Sequence, residues 1–363
     1  MQWRFIIFVL VAWSVLFVLH YVVYVVFARA FSLEIPWWGF ILGILSLSYL
    51  LASIAVRTVS SIVADWFYFL SATWLGFIFL LFSGIVTYEV VHVVTGHESQ
   101  LFLGLIAGGV IIAGIYALIA GRELTTQYYS IEFPSLQNSI RFVHLSDIHI
   151  GTVHQKKYLQ RVVDGTNALN PDFILVTGDL FDGSAPIEED ILEPLHAFTA
   201  PSFFSNGNHE EYEGLDKVRR TLSGFPMKQL ENESVVVGNV EIIGVDDRQS
   251  IKRGTRLRDV LESIPRRSAL VRILMYHTPV EWKDAQDAGV DIMVSGHTHN
   301  GQIFPFTLLV RLFFKHINGL YSENGKYLHV SPGTGTWGPP MRLGSRNQIT
   351  LIELVPIQHA NQS

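Results

Sequence analysis

Arg141-Phe142-Val143-His144-Leu145-Ser146-Asp147-Ile148-His149-Ile150-Gly151 sets the reading of this chain. A short apolar run, 141–145, reads as a strand, and at its end stand two residues able to bind a metal, Asp147 and His149. In extended chain, residues two apart point to one side. The same design recurs downstream. Residues 173–177 lead to Gly178-Asp179-Leu180-Phe181-Asp182, and 202–205 lead to Gly207-Asn208-His209-Glu210. Residues 270–276 lead to His277-Thr278-Pro279, and 291–295 lead to Gly296-His297-Thr298-His299-Asn300-Gly301, where His297 and His299 are again expected to share a side. One such element alone is ordinary loop sequence. Five in order, each at a strand end, indicate a metal site at the carboxyl edge of a sheet, where open α/β folds place their ligands.

Further strands are expected at 240–245, 327–331 and 348–355, and helices at 156–169, 188–199, 215–222, 257–264 and 281–288. Strands alternating with helices give a layered α/β architecture. The donors are carboxylates, imidazoles and one amide, a set suited to Mn, Fe or Zn more than to Ca or Cu(I). Seven donors exceed the needs of one tetrahedral zinc and suit two ions sharing a bridging carboxylate. The chain has no cysteine, which excludes disulfides, thiolate metal sites and a cysteine nucleophile.

Composition divides the 363 residues unequally: the chain is 49% hydrophobic and 16% charged, with the apolar excess before Gly121. Residues 5–28, 37–56, 66–88 and 101–120 contain no Asp, Glu, Lys or Arg. Each is long enough to cross about 30 Å of hydrocarbon as a helix. Trp3, Trp37, Trp38, Trp66, Tyr88 and Tyr116 lie near the ends, as interfacial aromatics do. Arg4, Arg57 and Arg122 against Arg29 favour a cytoplasmic N-terminus and a cytoplasmic C-terminal region. The stretch 89–100, with His92 and His97, reads as a solvated loop. With no charged residue in the spans, a transporter is disfavoured and an anchor favoured. A net charge of -6 without a basic stripe argues against a nucleic-acid polymer as partner.

The order D-x-H, GD-x-x-D, GNHE, H, GHTH resembles the calcineurin-like metallophosphoesterase superfamily, from about Ile140 to the C-terminus. Within it, the chain looks like a membrane-associated bacterial branch with a GHTHGGQ-type motif. Gly244-Val245-Asp246-Asp247, residues 331–336, Pro339-Pro340 and Arg342 match segments of that branch, whereas Asn300 stands where it usually has Gly. The resemblance implies a β-sandwich flanked by helices, preceded here by an all-α bundle of four transmembrane helices. The corresponding divisions are 1–122 transmembrane, 123–140 a partly extended connector, 141–357 the metallophosphoesterase domain and 358–363 a tail.

By the same resemblance, two divalent or mixed-valence ions would be held. Asp147, His149, Asp179 and His299 would hold one. Asp179, Asn208, His277 and His297 would hold the other, with Asp179 bridging. His209 would not be a ligand; with Asn208 and Arg342 it would face the substrate phosphate, as general acid or electrostatic stabiliser. Asp182 and Glu210 are candidates to orient histidines, or ordinary turn residues. Paired ions activate a bridging water for in-line displacement, so the expected activity is hydrolysis of a phosphodiester, phosphomonoester or pyrophosphate.

The apolar stretch 303–315, with Arg311 and Lys315, reads either as a core flap or as an interfacial segment resting on lipid. A lipid-linked substrate is therefore expected, with a water-soluble phosphodiester as the alternative. A different class of function, a non-catalytic membrane scaffold or sensor, would use the same domain for binding only. The complete donor set weighs against it.

Overall fold

The computed structural model describes residues 2–34, 36–134, 136–183, 186–247, 256–267 and 271–357. The expected tail, 358–363, and Leu270, the expected start of a strand, lie outside the described residues. Contacts divide the chain into two units: 1–122 with 338–343, and 123–337 with the chain from 344.

The first unit contains α1 (Gln2–Phe31), α2 (Trp38–Thr58), α3 (Ile62–Thr95) and α4 (Gln100–Ala120). All four are long and apolar enough to cross a membrane. The 34 residues of α3 rise about 50 Å, more than the hydrocarbon thickness of about 30 Å. The expected loop at 89–100 is thus largely helix, ending where Gly96 takes φ 70°. Arg29 stabilises this end by pairing with Glu89 at 2.5 Å and Glu98 at 2.6 Å, and the Ser99 hydroxyl caps α4. His20 is an ionisable residue within α1 that a count of Asp, Glu, Lys and Arg overlooks. Its Nδ1–H donates to the Leu16 carbonyl, and its Nε2 accepts the Trp74 indole N–H at 2.8 Å. With both ring nitrogens used, it serves as a neutral packing element.

Residues 338–343 also belong to this unit, although the sequence reading assigns them to the phosphoesterase domain. A Cβ at Gly76 would collide with the Met341 sulfur, and one at Gly121 would meet the Pro340 carbonyl. The Arg342 N–H donates to the Ala117 carbonyl at 2.8 Å.

The second unit is built on two six-stranded sheets. In spatial order the first holds β1 (Leu124–Phe133), β12 (Asn347–Pro356), β2 (Ile140–Leu145), β3 (Phe173–Thr177), β4 (Ser202–Ser205) and β5 (Met227–Gln229). The second holds β10 (Gly319–Glu323), β11 (Lys326–Val330), β9 (Ile292–Ser295), β8 (Val271–Met275), β7 (Val240–Gly244) and β6 (Glu233–Val237). Alternate side chains separate the layers, as the strand period of two requires. Phe173 and Leu175 of β3 join Val271, Ile273 and Met275 of β8 in a core between the sheets. Ile174 and Val176 face outward to α5 (Lys156–Asn167) and α8 (Leu215–Leu222). Leu274 faces outward to α9 (Leu257–Ser263) and α10 (Trp282–Asp287). The result is a sandwich of two sheets flanked by helices.

Two expectations change. The stretch expected as a connector contains β1, paired in parallel with β12 from Leu124 to Phe133. Its polar outward residues hide a strand whose Ile131 and Phe133 reach the central core. The helix expected over 188–199 breaks into α6 (Glu189–Leu192) and a 3-10 turn, Glu193–Ala197. Pro194 offers no N–H to continue an α-helix.

Between the sheets, His144 of β2 and His329 of β11 meet, Nδ1 to Nδ1, at 2.8 Å. Neither Nε2 has a hydrogen-bond partner. Burial lowers His144 well below the usual imidazole range, His329 and His277 adding to the effect, and burial alone takes His329 to about 3. Above pH about 6.5 both rings are neutral in folded and unfolded chains. Below it the unfolded chain takes up protons that the folded chain refuses, so stability falls as pH falls. The expected slope between about pH 6 and 4 is at most about 2.7 kcal/mol per unit for the two groups. Thermal melts of the full chain in detergent across that range check this: a His144→Asn/His329→Asn variant should show a shallower decline. An equal decline would remove the pair as a source of acid sensitivity.

Candidate metal centre

β2, β3 and β4 run parallel in one sheet, and β7, β8, β9 and β11 in the other. Their carboxyl ends meet at one edge. A Cβ at Gly296, after β9, would collide with Ser146 Oγ and the Asp147 carboxylate. A Cβ at Gly178, after β3, would meet the His277 ring. Only glycine allows the two sheet edges to approach this closely.

The donors do not sit on extended chain. Asp147, His149, Asp179, His297 and His299 have φ of 52, 52, 53, 70 and 48°. Left-handed backbone costs about 1–3 kcal/mol per non-glycine residue and is held only where the surroundings impose it. Here the loops are stitched together: Asp147 N–H donates to Gly178 O, His149 N–H to Asp179 O and Gly335 N–H to Asp147 O. The shared side of Asp147 and His149 therefore comes from two left-handed kinks. His297 and His299 join different donor groups. Asn300, the departure from the family pattern, takes φ 50° and ψ 33°. Asparagine tolerates this conformation better than most residues, so a turn that glycine would make is kept.

Among the described residues, three donor groups are close enough to hold an ion: Asp147, His149 and His299; Asp179, His277 and His297; and His149, Asp179 and His209. His149 and His299 face each other Nε2 to Nε2 at 3.0 Å. His277 Nε2 is 3.0 Å from Asp179 Oδ2, and His149 Nε2 is 3.9 Å from the same oxygen. Asn208 Oδ1 is 2.9 Å from His297 Nδ1. All seven sequence-predicted ligands thus converge, with Asp179 reaching both sides. His209 comes closer than expected, its Nε2 4.0 Å from Asp179 Oδ2. Arg342 belongs to the helical unit and is fully buried.

Charge favours cations here. Burial, opposed by His277 but aided by Asp179, pushes the Asp147 carboxyl up to about 6. Burial also opposes charge on Asp179, yet His277 and His209 hold it well below the usual carboxylate range. Burial would lower His277, but Asp179 and Asp147 raise it well above its ordinary value. Two buried carboxylates need positive charge beside them, which the raised His277 provides and which a bound cation would provide in its place. His149 Nδ1 is buried without a hydrogen-bond partner, and the partner of His277 Nε2 is the Asp179 carboxylate itself, 3.0 Å away. His277 Nδ1–H donates to Thr177 O at 2.9 Å, which aims Nε2 at the cluster. A set of oxygen and nitrogen donors, imidazoles oriented from behind, fits divalent metal ions.

The supporting residues partly match expectation. Asp182 acts through its backbone carbonyl, which accepts from His209 Nδ1 at 2.6 Å, and its carboxylate is 3.8 Å from His149 Nδ1. Glu210 orients the backbone around the bridging carboxylate, accepting the N–H groups of Asp179, Phe181 and Gly207. Burial beside Asp179 raises its pKa to about 7. Three contributors were missed as ligand supports. Ser146 Oγ donates to Asp147 Oδ2 at 2.7 Å. Asp246 accepts from Asn206, just before the Gly207-Asn208 turn, and Asp247 accepts from Thr278, just after His277. The Gly244-Val245-Asp246-Asp247 segment carried that signal at the end of β7.

Residues 140–301 match the family described as calcineurin-like phosphoesterase. An Aquifex aeolicus protein named as an uncharacterized metallophosphoesterase is 31% identical over 256 residues, covering 67% of this chain and 97% of its own. A Helicobacter pylori (strain J99) protein of the same name is 33% identical over 235 residues, covering 63% of this chain and 64% of its own. A Danio rerio transmembrane protein with metallophosphoesterase domain is 32% identical over 285 residues, covering 72% and 64%. The chain thus spans slightly less than two thirds of the length of the last two.

Proposed function

The chain belongs to the calcineurin-like metallophosphoesterases, and from that premise we propose that it is a membrane-embedded, two-metal phosphoester hydrolase. The observation that carries this reading is the Asp179 carboxylate, shared between donor groups on either side. Asp147, His149, Asp179 and His299 would hold one ion, and Asp179, Asn208, His277 and His297 the other. Mn, Fe or Zn fit this donor chemistry. Such ions, when bound, supply Lewis-acid charge and lower the pKa of water in the site.

The chain's own groups do the rest. His209 Nδ1–H is fixed by the Asp182 carbonyl, which directs Nε2 toward Asp179. Burial lowers its proton affinity, but Asp179 and Asp182 more than reverse that, so its pKa is raised. A histidine whose protonated form is favoured by neighbouring carboxylates can give its Nε2 proton to the departing oxygen, or hold charge on the phosphoryl group. The Asn208 amide orients the phosphate, and Arg342 is assigned to the substrate by family resemblance alone.

The bond cleaved is a phosphodiester, phosphomonoester or pyrophosphate, and a lipid-linked substrate suits an enzyme held in a membrane. We place the chain in a bacterial inner membrane, and the arginine distribution supports a catalytic domain on the cytoplasmic side. Binding without catalysis is the weaker reading, because the donor set and His209 are all in place.

The test is incubation of the full chain with total membrane lipids, with phosphorus-containing products read by mass spectrometry and an Asp179→Asn variant as control. A lipid phosphoester consumed only by the wild type is the expected result. No product from lipids, with ready turnover of bis-p-nitrophenyl phosphate, would assign the enzyme to water-soluble diesters.

A further inference from the structure

The turn that carries His297 and His299 leads into α11 (Phe306–Phe313), a helix whose apolar side chains face solvent. Leu312 and Phe313 are 77% and 80% exposed, and Phe304, Phe306, Leu308 and Leu309 are exposed as well. Its one buried residue is Thr307. A surface helix of a soluble domain turns its apolar stripe inward; this one does the reverse. Contiguous exposed apolar surface of this kind marks an interaction site.

The helix is fixed from behind. Thr307 Oγ1 donates to the Asn300 carbonyl at 2.9 Å, a Cβ at Gly301 would strike the Thr307 backbone, and the Phe314 ring lies 5.5 Å from that of His297. Two cations accompany the apolar face, Arg311 in the last turn of the helix and Lys315 just beyond its end. Arg311 and Lys315, with Asn300, Phe314, Asn318 and Tyr321, line a cavity of about 410 Å³. Among the described residues neither cation forms an ion pair. Exposed aromatic and leucine side chains beside unpaired cations match a bilayer interface, where the apolar groups meet the acyl boundary and the cations meet anionic head groups. The chain already has four helices able to cross a membrane, so a bilayer is at hand.

We propose that α11 and its flanks rest in the head-group region of an anionic bilayer, with Arg311 and Lys315 on lipid phosphates. This deepens the membrane part of the proposed function and rests on the chain being a membrane protein. It presents the metal-histidine turn to phosphoesters at the bilayer surface.

The absence of native cysteine makes the test direct. Full-length chain carrying Leu312→Cys, or Val236→Cys on β6 as control, is spin-labelled and placed in nanodiscs of phosphatidylcholine alone or mixed with phosphatidylglycerol. In anionic discs the label at 312 should be relaxed by oxygen more than by a water-soluble nickel chelate, with the opposite at 236. Adding Arg311→Gln and Lys315→Gln should reduce the preference for anionic discs about five-fold for each charge removed. Equal nickel accessibility at 312 and 236 would overturn the proposal. So would spin–spin broadening at 312 in detergent, which would give the face to a second copy of the chain. Metal content and bis-p-nitrophenyl phosphate turnover, measured on the same samples, report separately on the hydrolase reading.

Discussion

Replacing Asp179 by Asn is expected to lower kcat/KM for bis-p-nitrophenyl phosphate by about 10³-fold or more. The substitution keeps the shape of the side chain and removes one negative charge from a carboxylate that two donor groups share, with His277 Nε2 at 3.0 Å and His149 Nε2 at 3.9 Å. Charge stabilisation by paired ions is worth several kcal/mol, and each 1.36 kcal/mol is about a tenfold change in rate. The amide also disturbs its neighbours: Asp179 Oδ1 accepts the His209 N–H at 3.0 Å, and an NH2 group in that place would repel it. Steady-state kinetics on protein shown to be folded decides the matter. Turnover near the wild-type level would remove Asp179 from the bridging role.

The second large effect belongs to His209. His209→Gln is expected to keep both metals and to lower kcat by about 10²–10⁴-fold, the usual range for loss of a general acid. The loss should grow as the leaving group becomes a poorer one, because a nitrophenolate departs without a proton and an alkoxide does not. The alternative is written in the structure: His209 lies in a third donor group with His149 and Asp179. If the variant loses metal in proportion to activity, His209 is a ligand. If the loss is the same for every leaving group, its role is electrostatic.

Much of the centre was legible because its donors are spaced by the architecture itself. A parallel strand delivers whatever follows its last residue to one edge, so a motif after each strand is a motif at the site. The strands at 173–177 and 202–205 and the helix at 215–222 coincide with β3, β4 and α8. What the sequence hid was conformation. The spacing of Asp147 and His149 suggested an extended chain, whereas both residues are left-handed, and the same geometry sends His297 and His299 to different groups. β1 was concealed because an edge strand with polar outward residues carries little apolar signal, yet it pairs along its full length with β12. Residues 338–343 were concealed for another reason: packing of Met341 at Gly76 is set by tertiary contact and leaves no periodic trace.

The seven donors, the raised Asp147 carboxyl and the contact of His277 Nε2 with Asp179 support one proposal, that this protein holds two metal ions on a shared carboxylate. The most direct measurement is the metal content of the purified full-length chain by mass spectrometry, alongside the Asp179→Asn variant. The account predicts two transition-metal ions per wild-type chain and the loss of at least one in the variant, with hydrolysis lost in step. Wild-type chain that hydrolyses phosphodiesters at full rate with one ion or none, after exhaustive chelation, would contradict it.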